Sequence, residues 1–113
     1  MLKRLTIWHC KSSVDHESAV RHWLGSHVEL VLAVPGVKRY TQNACVPGPD
    51  GSNPPYTGLG EVWFDSIESA TAAVRSVEWQ AVIADADTFM DMTQIGAAWA
   101  EEHLPEVTAE RPV

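Results

Sequence analysis

The sequence predicts an α+β domain with the element order β-α-β-β-α-β, a four-stranded antiparallel sheet carrying both helices on one face. Three observations point there. Period-two alternation opens the chain, and a long stretch with apolar residues at helical spacing follows it. A nine-residue run of turn formers then separates two further strand-like segments, ahead of a second helical stripe.

In residues 2–10, Leu5, Ile7 and His9 alternate with Arg4, Thr6, Trp8 and Cys10, the pattern of a strand. Asp15 is a good N-cap for one helix running to Val34. In it Trp23, His27, Leu30, Val31 and Val34 fall at i, i+4, i+7, i+8 and i+11, a single stripe. Pro35-Gly36 ends that helix. Residues 37–46 form a second strand, carrying Val37, Tyr40, Thr41 and Val46. The run 47–55 holds Pro, Gly, Asp, Ser and Asn only, and cannot pair in a sheet. Leu59-Gly-Glu-Val-Trp-Phe64 is the third strand. Ser66 caps a second helix from Ile67 to about Val77, with Ala70, Ala73, Val74 and Val77 at helical spacing. A short helical piece follows over 78–86, and the last strand lies within 89–99. The domain therefore covers 1–100, and the acidic, proline-containing stretch 101–113 is a C-terminal arm. This is the split βαβ, or ferredoxin-like, plan.

That plan leaves one sheet face without helices. Pairing two such faces buries them, so a homodimer is expected, favoured by Trp8 or Trp63 on the open face. The plan also separates the two cysteines. The first and second strands flank the third, so Cys10 and Cys45 stand two strand spacings, ~9.6 Å, apart, beyond the ~7 Å between Cα atoms that a disulfide spans.

Composition narrows the partners. The chain has 113 residues, 45% hydrophobic and 20% charged, in the range of one ordinary globular domain. Fifteen acidic against eight basic side chains give a net charge of −7, which repels phosphate backbones and anionic lipid, so neither nucleic acid nor membrane is expected as a partner. No apolar run reaches the ~20 residues of a membrane span, and no secretory apolar core opens the chain. The expected location is cytoplasmic, with two free thiols.

Few residues carry chemistry. His27 lies on the apolar side of its helix, where a titratable imidazole is either a neutral core residue bonded to a carbonyl or carboxylate, or a general acid–base in a pocket built with Trp23, Tyr40 and strand aromatics. His16 and His22 read as solvent-facing, and His103 belongs to the arm. The spacings His16–His22 and His22–His27 put no two imidazoles on one helix face, so no metal site is expected; no flavin or nicotinamide motif appears either, so no cofactor is expected, with haem the one conceivable exception. Thr57-Gly-Leu-Gly-Glu-Val-Trp-Phe64 overlaps the RNP1 pattern of RNA-binding domains of this topology. Leu59 and Glu61, however, occupy the positions where aromatic rings should stack on bases. Gly58 and Gly60 read instead as room for a helix or ligand against the strand. They lack the rest of a dinucleotide fingerprint. Asp85, Asp87 and Asp91 surround Phe89. They read as a polar helix end, from which one carboxylate can orient His27.

The ordered set Trp23-Leu-Gly-Ser-His27, Pro35-Gly-Val-Lys-Arg-Tyr40-Thr-Gln-Asn43, Gly60-Glu-Val-Trp-Phe-Asp65 and Asp85-Ala-Asp-Thr-Phe89 resembles the EthD-domain family over residues 1–100. The resemblance implies a dimeric α+β barrel. It also implies kinship with small, often cofactor-free enzymes of ether and aromatic breakdown and polyketide maturation, with the helix histidine at His27. Ala19 stands where such proteins usually have a large apolar residue, and the run before the third strand is a possible lid.

The leading expectation is a cofactor-independent lyase, isomerase or cyclase acting on a small cyclic, aromatic, lactone or polyketide-like substrate. His27 moves a proton beside a carbonyl, and Tyr40 or Asn43 holds the developing oxyanion. Trp23, Trp63, Phe64 and Phe89 supply apolar walls, and Asp85 partners the site. Tyr40 and Asn43 differ in parity on one strand, so only one of them faces the pocket. The alternatives are an oxidoreductase or accessory of oxidative ether or aromatic degradation, and a non-catalytic dimerisation module. The module predicts a bonded His27 with no cavity beside it.

Overall fold

The computed structural model describes residues 1–105. Eight elements run in order: β1 Leu2–Trp8, α1 His16–Leu24, α2 Ser26–Leu32, β2 Arg39–Ala44, β3 Gly58–Phe64, α3 Ile67–Val74, α4 Val77–Ala86 and β4 Gly96–Glu101. The strands form one antiparallel sheet of order β2-β3-β1-β4 with the helices on one face. This is the expected β-α-β-β-α-β arrangement. Cys10 and Cys45 are free thiols.

The first expected helix is divided, and the second and the helical piece after it are separate helices as expected, with their boundary a few residues earlier. The long one breaks at Gly25, whose backbone (φ −103°, ψ −105°) ends α1 and starts α2. A Cβ there would lie 3.1 Å from the Arg21 carbonyl oxygen, so glycine lets the turn close. Asp15 caps α1 by accepting from the Ser18 amide at 3.0 Å. The second helix stops at Arg75. Ser66 and Ser69 form a reciprocal capping box on α3, and Ser76 caps α4 through the Trp79 amide. Val77 is consequently the exposed first residue of α4 rather than part of an apolar stripe. The last strand begins at Gly96, later than expected. Phe89 precedes it, beside an isolated Cys10–Met90 bridge. Glu101 belongs to β4 rather than to the arm, of which 106–113 lie outside the described residues.

The two faces of β1 are the reverse of the expectation. Register places Leu2, Arg4, Thr6 and Trp8 opposite Phe64, Val62, Gly60 and Gly58, and these residues meet the helices. Two clusters fill that side. One joins Val31, Val34, Val62, Phe64, Ala70, Ala73, Trp79 and Val82, and the other Trp8, Ala19, Trp23, Ala86, Phe89 and Met90. Trp8 is fully buried there and is not on the open face. The open face carries Leu5, Ile7, Leu59 and Trp63. Trp63 is covered by Lys3 and Arg39, whose cationic ends stand 5.0 and 4.6 Å from the centre of its ring. The apolar members Leu5 and Ile7 mislead as a core signal because they belong to the face without helices, while an arginine and a threonine point under the helices.

Candidate active site

Between the two clusters the sheet and helices enclose a cleft of about 530 Å³, measured out to its open mouth. Its floor is Arg4, Thr6 and Trp8 of β1 and Tyr40 of β2. Trp23 and His27 close one side and Trp79 of α4 the other.

The break at Gly25 creates the polar centre. Five residues along a continuous helix would turn His27 about 140° from His22. With the chain interrupted, both imidazoles reach Asp85 of α4. His27 Nδ1 lies 2.7 Å from Asp85 Oδ2, and His22 Nε2 lies 2.9 Å from both carboxylate oxygens. An ionised carboxylate only accepts, so each imidazole presents an N–H to it. His22 Nδ1 then accepts from the Ser26 hydroxyl at 3.1 Å. His27 keeps Nε2 as its lone-pair nitrogen, with no hydrogen bond to a described residue. The His27 side chain is 4% exposed and lines the cleft. Phe89 packs edge-on against both imidazoles, at centroid distances of 5.0 Å to His22 and 5.3 Å to His27.

Burial pushes the His27 imidazole below its ordinary value, against the opposing hydrogen bond to Asp85. For Asp85, burial raises the carboxyl, but the hydrogen bonds from His27 and His22 outweigh it and leave the group below its ordinary value. Both shifts link to stability with the same sign. Unfolded His27 takes up a proton near pH ~6.5, where the folded imidazole stays neutral. Its contribution is therefore complete above that pH and is lost as pH falls from there towards the folded value. Asp85 contributes above the unfolded carboxyl range and loses that contribution as pH falls through its own lower value. The melting temperature is expected to drop between pH 7 and 5, and His27→Gln is expected to flatten that drop; scanning calorimetry at stepped pH reads both.

Tyr40 faces the same cleft. Burial pushes its phenol up to about 12, so it stays a neutral O–H donor at physiological pH. Its oxygen accepts from Gln42 Nε2 at 3.2 Å, and Gln42 is itself anchored on the Trp23 carbonyl at 2.7 Å.

The comparisons with known proteins agree with this architecture. The EthD domain model matches residues 11–93. The chain belongs to the EthD-domain family. A crystal structure of an ethyl tert-butyl ether D (EthD) family protein from Bacillus halodurans C-125 superposes with a TM-score of 0.78 at 23% identity, covering 91% of this chain and 99% of that one. A dimeric ferredoxin-like protein of unknown function from Thermobifida fusca YX gives a TM-score of 0.69 at 15% identity, over 88% of each chain. An uncharacterized 11.0 kDa protein from the thcB-thcC intergenic region of Rhodococcus erythropolis is 35% identical over 68 residues, which span 60% of this chain and 65% of that relative.

In this EthD-domain protein the expected site residues divide. His27, Trp23 and Tyr40 line the cleft, with Asp85 and Phe89 directly behind His27. Three residues do not line the cleft. Asn43 lies on the open face, bonded to the Leu59 carbonyl and Glu61, because it differs in parity from Tyr40. Trp63 shares that open face. Phe64 is on the helix side but is consumed in the core. The possible lid over 47–57 does not touch the cleft, and His9 packs on its Tyr56 instead. The sequence reading missed Arg4, Trp8, Trp79 and His22. Parity with Trp8 would have flagged Arg4, and Gly25 in mid-stripe was the signal for the break that redirects His22. Among the described residues no group of three or more His, Cys, Asp or Glu is placed to hold a metal, and no helix is long and apolar enough to cross a membrane.

Proposed function

We propose that the cleft carries out cofactor-independent proton transfer on a small cyclic or aromatic carbonyl compound, with His27 as general base and acid. The observation that carries this is the placement of His27, which has one ring nitrogen fixed on Asp85 while the residue lines a largely apolar cleft. A purely structural histidine predicts the buried partner but not the cavity beside it.

In the proposed step a C–H proton next to the carbonyl passes to His27 Nε2. The C–H electron pair becomes the enolate, and the negative charge on oxygen is met by the Tyr40 hydroxyl. Asp85 stabilises the imidazolium so formed. Returning the proton to another carbon is isomerisation, and delivering it to a departing β-oxygen is elimination, so one arrangement serves lyase and isomerase chemistry. Deuterium exchange at the α-carbons of 2-tetralone in D₂O, followed by NMR, tests the reading. Exchange faster than buffer is expected, falling at least ~100-fold in His27→Gln. Equal rates with and without the imidazole would refute it.

The same reading includes a homodimer formed through the open sheet face, where Leu5, Ile7 and Leu59 lie half-buried on a single chain. The Thermobifida fusca relative is described as dimeric. Light scattering is expected to give twice the mass of one 12.4 kDa chain, reverting to a single chain in Ile7→Asp.

A further inference from the structure

Arg4 takes no part in that chemistry, yet among the described residues it is the only charged side chain on the lining of the cleft, where His27 stays neutral. It lies on the helix-covered face of β1, partly buried, with its guanidinium 5.1 Å from the centre of the Trp79 ring. One hydrogen bond holds it, from Nη1 to the Thr6 hydroxyl at 2.7 Å. Among the described residues no carboxylate comes within ion-pair distance of it. Burial pushes its pKa down, but a guanidinium stays protonated throughout the physiological range and carries five N–H donors in a planar fork. Trp8 adds a second unfilled donor from the same strand face, since its indole Nε1 is buried without an acceptor.

The contrast with the rest of the chain is sharp. A protein of net charge −7 lines this cleft, among the described residues, with an arginine and no Asp or Glu. A cation withdrawn from water without a counter-charge is destabilising, and such an arrangement becomes favourable when an anion enters. The remaining walls are indole, phenol and aliphatic surface, which suits a flat apolar body and not a second charge.

We propose that the cleft is a carboxylate-binding site, and that its ligand is a cyclic or aromatic carboxylic acid whose carboxylate is held by Arg4 while its ring lies between Trp23 and Trp79. A planar carboxylate matches the guanidinium fork through two parallel hydrogen bonds. The proposal names the substrate class of the proton-transfer site and rests on that reading for what happens after binding. The binding itself rests only on Arg4 and the cleft.

Calorimetric titration of the full chain with 2-naphthoate and its neutral isostere 2-naphthamide tests it. The wild-type protein is expected to bind the carboxylate at least tenfold more tightly than the amide. Arg4→Gln is expected to erase that preference by weakening the carboxylate alone, and Arg4→Lys to keep part of it. Should either variant fail to fold, the carboxylate-to-amide ratio of the wild type decides by itself. Equal affinity for the two probes, or no binding of either, overturns the proposal. Titrating His27→Gln separates it from the catalytic reading. Arg4-dependent binding without proton exchange in the wild type leaves the carboxylate site standing and removes the base. Exchange on 2-tetralone without carboxylate preference does the opposite.

Discussion

Asp85→Asn is expected to slow α-proton exchange by about 10²–10⁴-fold while leaving the fold intact. The carboxylate accepts from His27 at 2.7 Å and from His22 at 2.9 Å. An amide of the same shape supplies one oxygen and one NH₂ group. If the NH₂ donates to His27 Nδ1, the imidazole proton moves to Nε2 and the nitrogen facing the cleft changes from base to donor. If the oxygen accepts instead, the tautomer survives, but no negative charge remains to stabilise the imidazolium that forms during transfer. Either way the reacting state loses more than the resting state. Exchange kinetics followed by NMR check the rate, and ring-nitrogen chemical shifts of His27 show which tautomer is present. An unchanged rate would mean that Asp85 serves packing alone.

Gly58→Ala is expected to cost about 1–3 kcal/mol of stability, the range for over-packing a filled core. A methyl group at Gly58 would stand 2.5 Å from Trp8 Nε1 and 2.9 Å from two carbons of the Trp23 ring. Both indoles are at most 1% exposed, and they pack edge to face at a centroid distance of 5.2 Å. Neither ring is a flexible chain end that can swing aside. Gly58 opens β3 directly opposite Trp8 on β1, so relief requires the strand pair to part. A lower urea midpoint at unchanged slope reads the loss. Because Trp8 and Trp23 also wall the cleft, tryptophan fluorescence should shift along with it.

The order of elements was legible because it depends on local patterning. Alternation in β1, the Asp15 and Ser66 caps, and the run of turn formers before β3 act through neighbouring residues, and each stands where expected. Face assignment was less legible. Leu5 and Ile7 look like core residues by hydropathy, yet they occupy the helix-free face, and Arg4 and Thr6 lie under the helices. Alternation shows that a strand has two faces; it does not show which one the helices cover.

The sequence by itself determined the α+β plan, the parity that lets only one of Tyr40 and Asn43 meet the cleft, and the exceptional position of His27. Those follow from periods of 2 and 3.6 residues and from caps, which are properties of single segments. Only the tertiary structure decided what surrounds His27. His22 and Asp85 are separated by 63 residues and His27 and Asp85 by 58, and their meeting depends on the chain turning at Gly25 and on α4 docking beside α2. Arg4 likewise has no identifiable partner or vacancy in the sequence. Its unpaired charge emerges only when β1, β2, α2 and α4 close around one space, because burial and pairing belong to the assembled elements and not to any one of them.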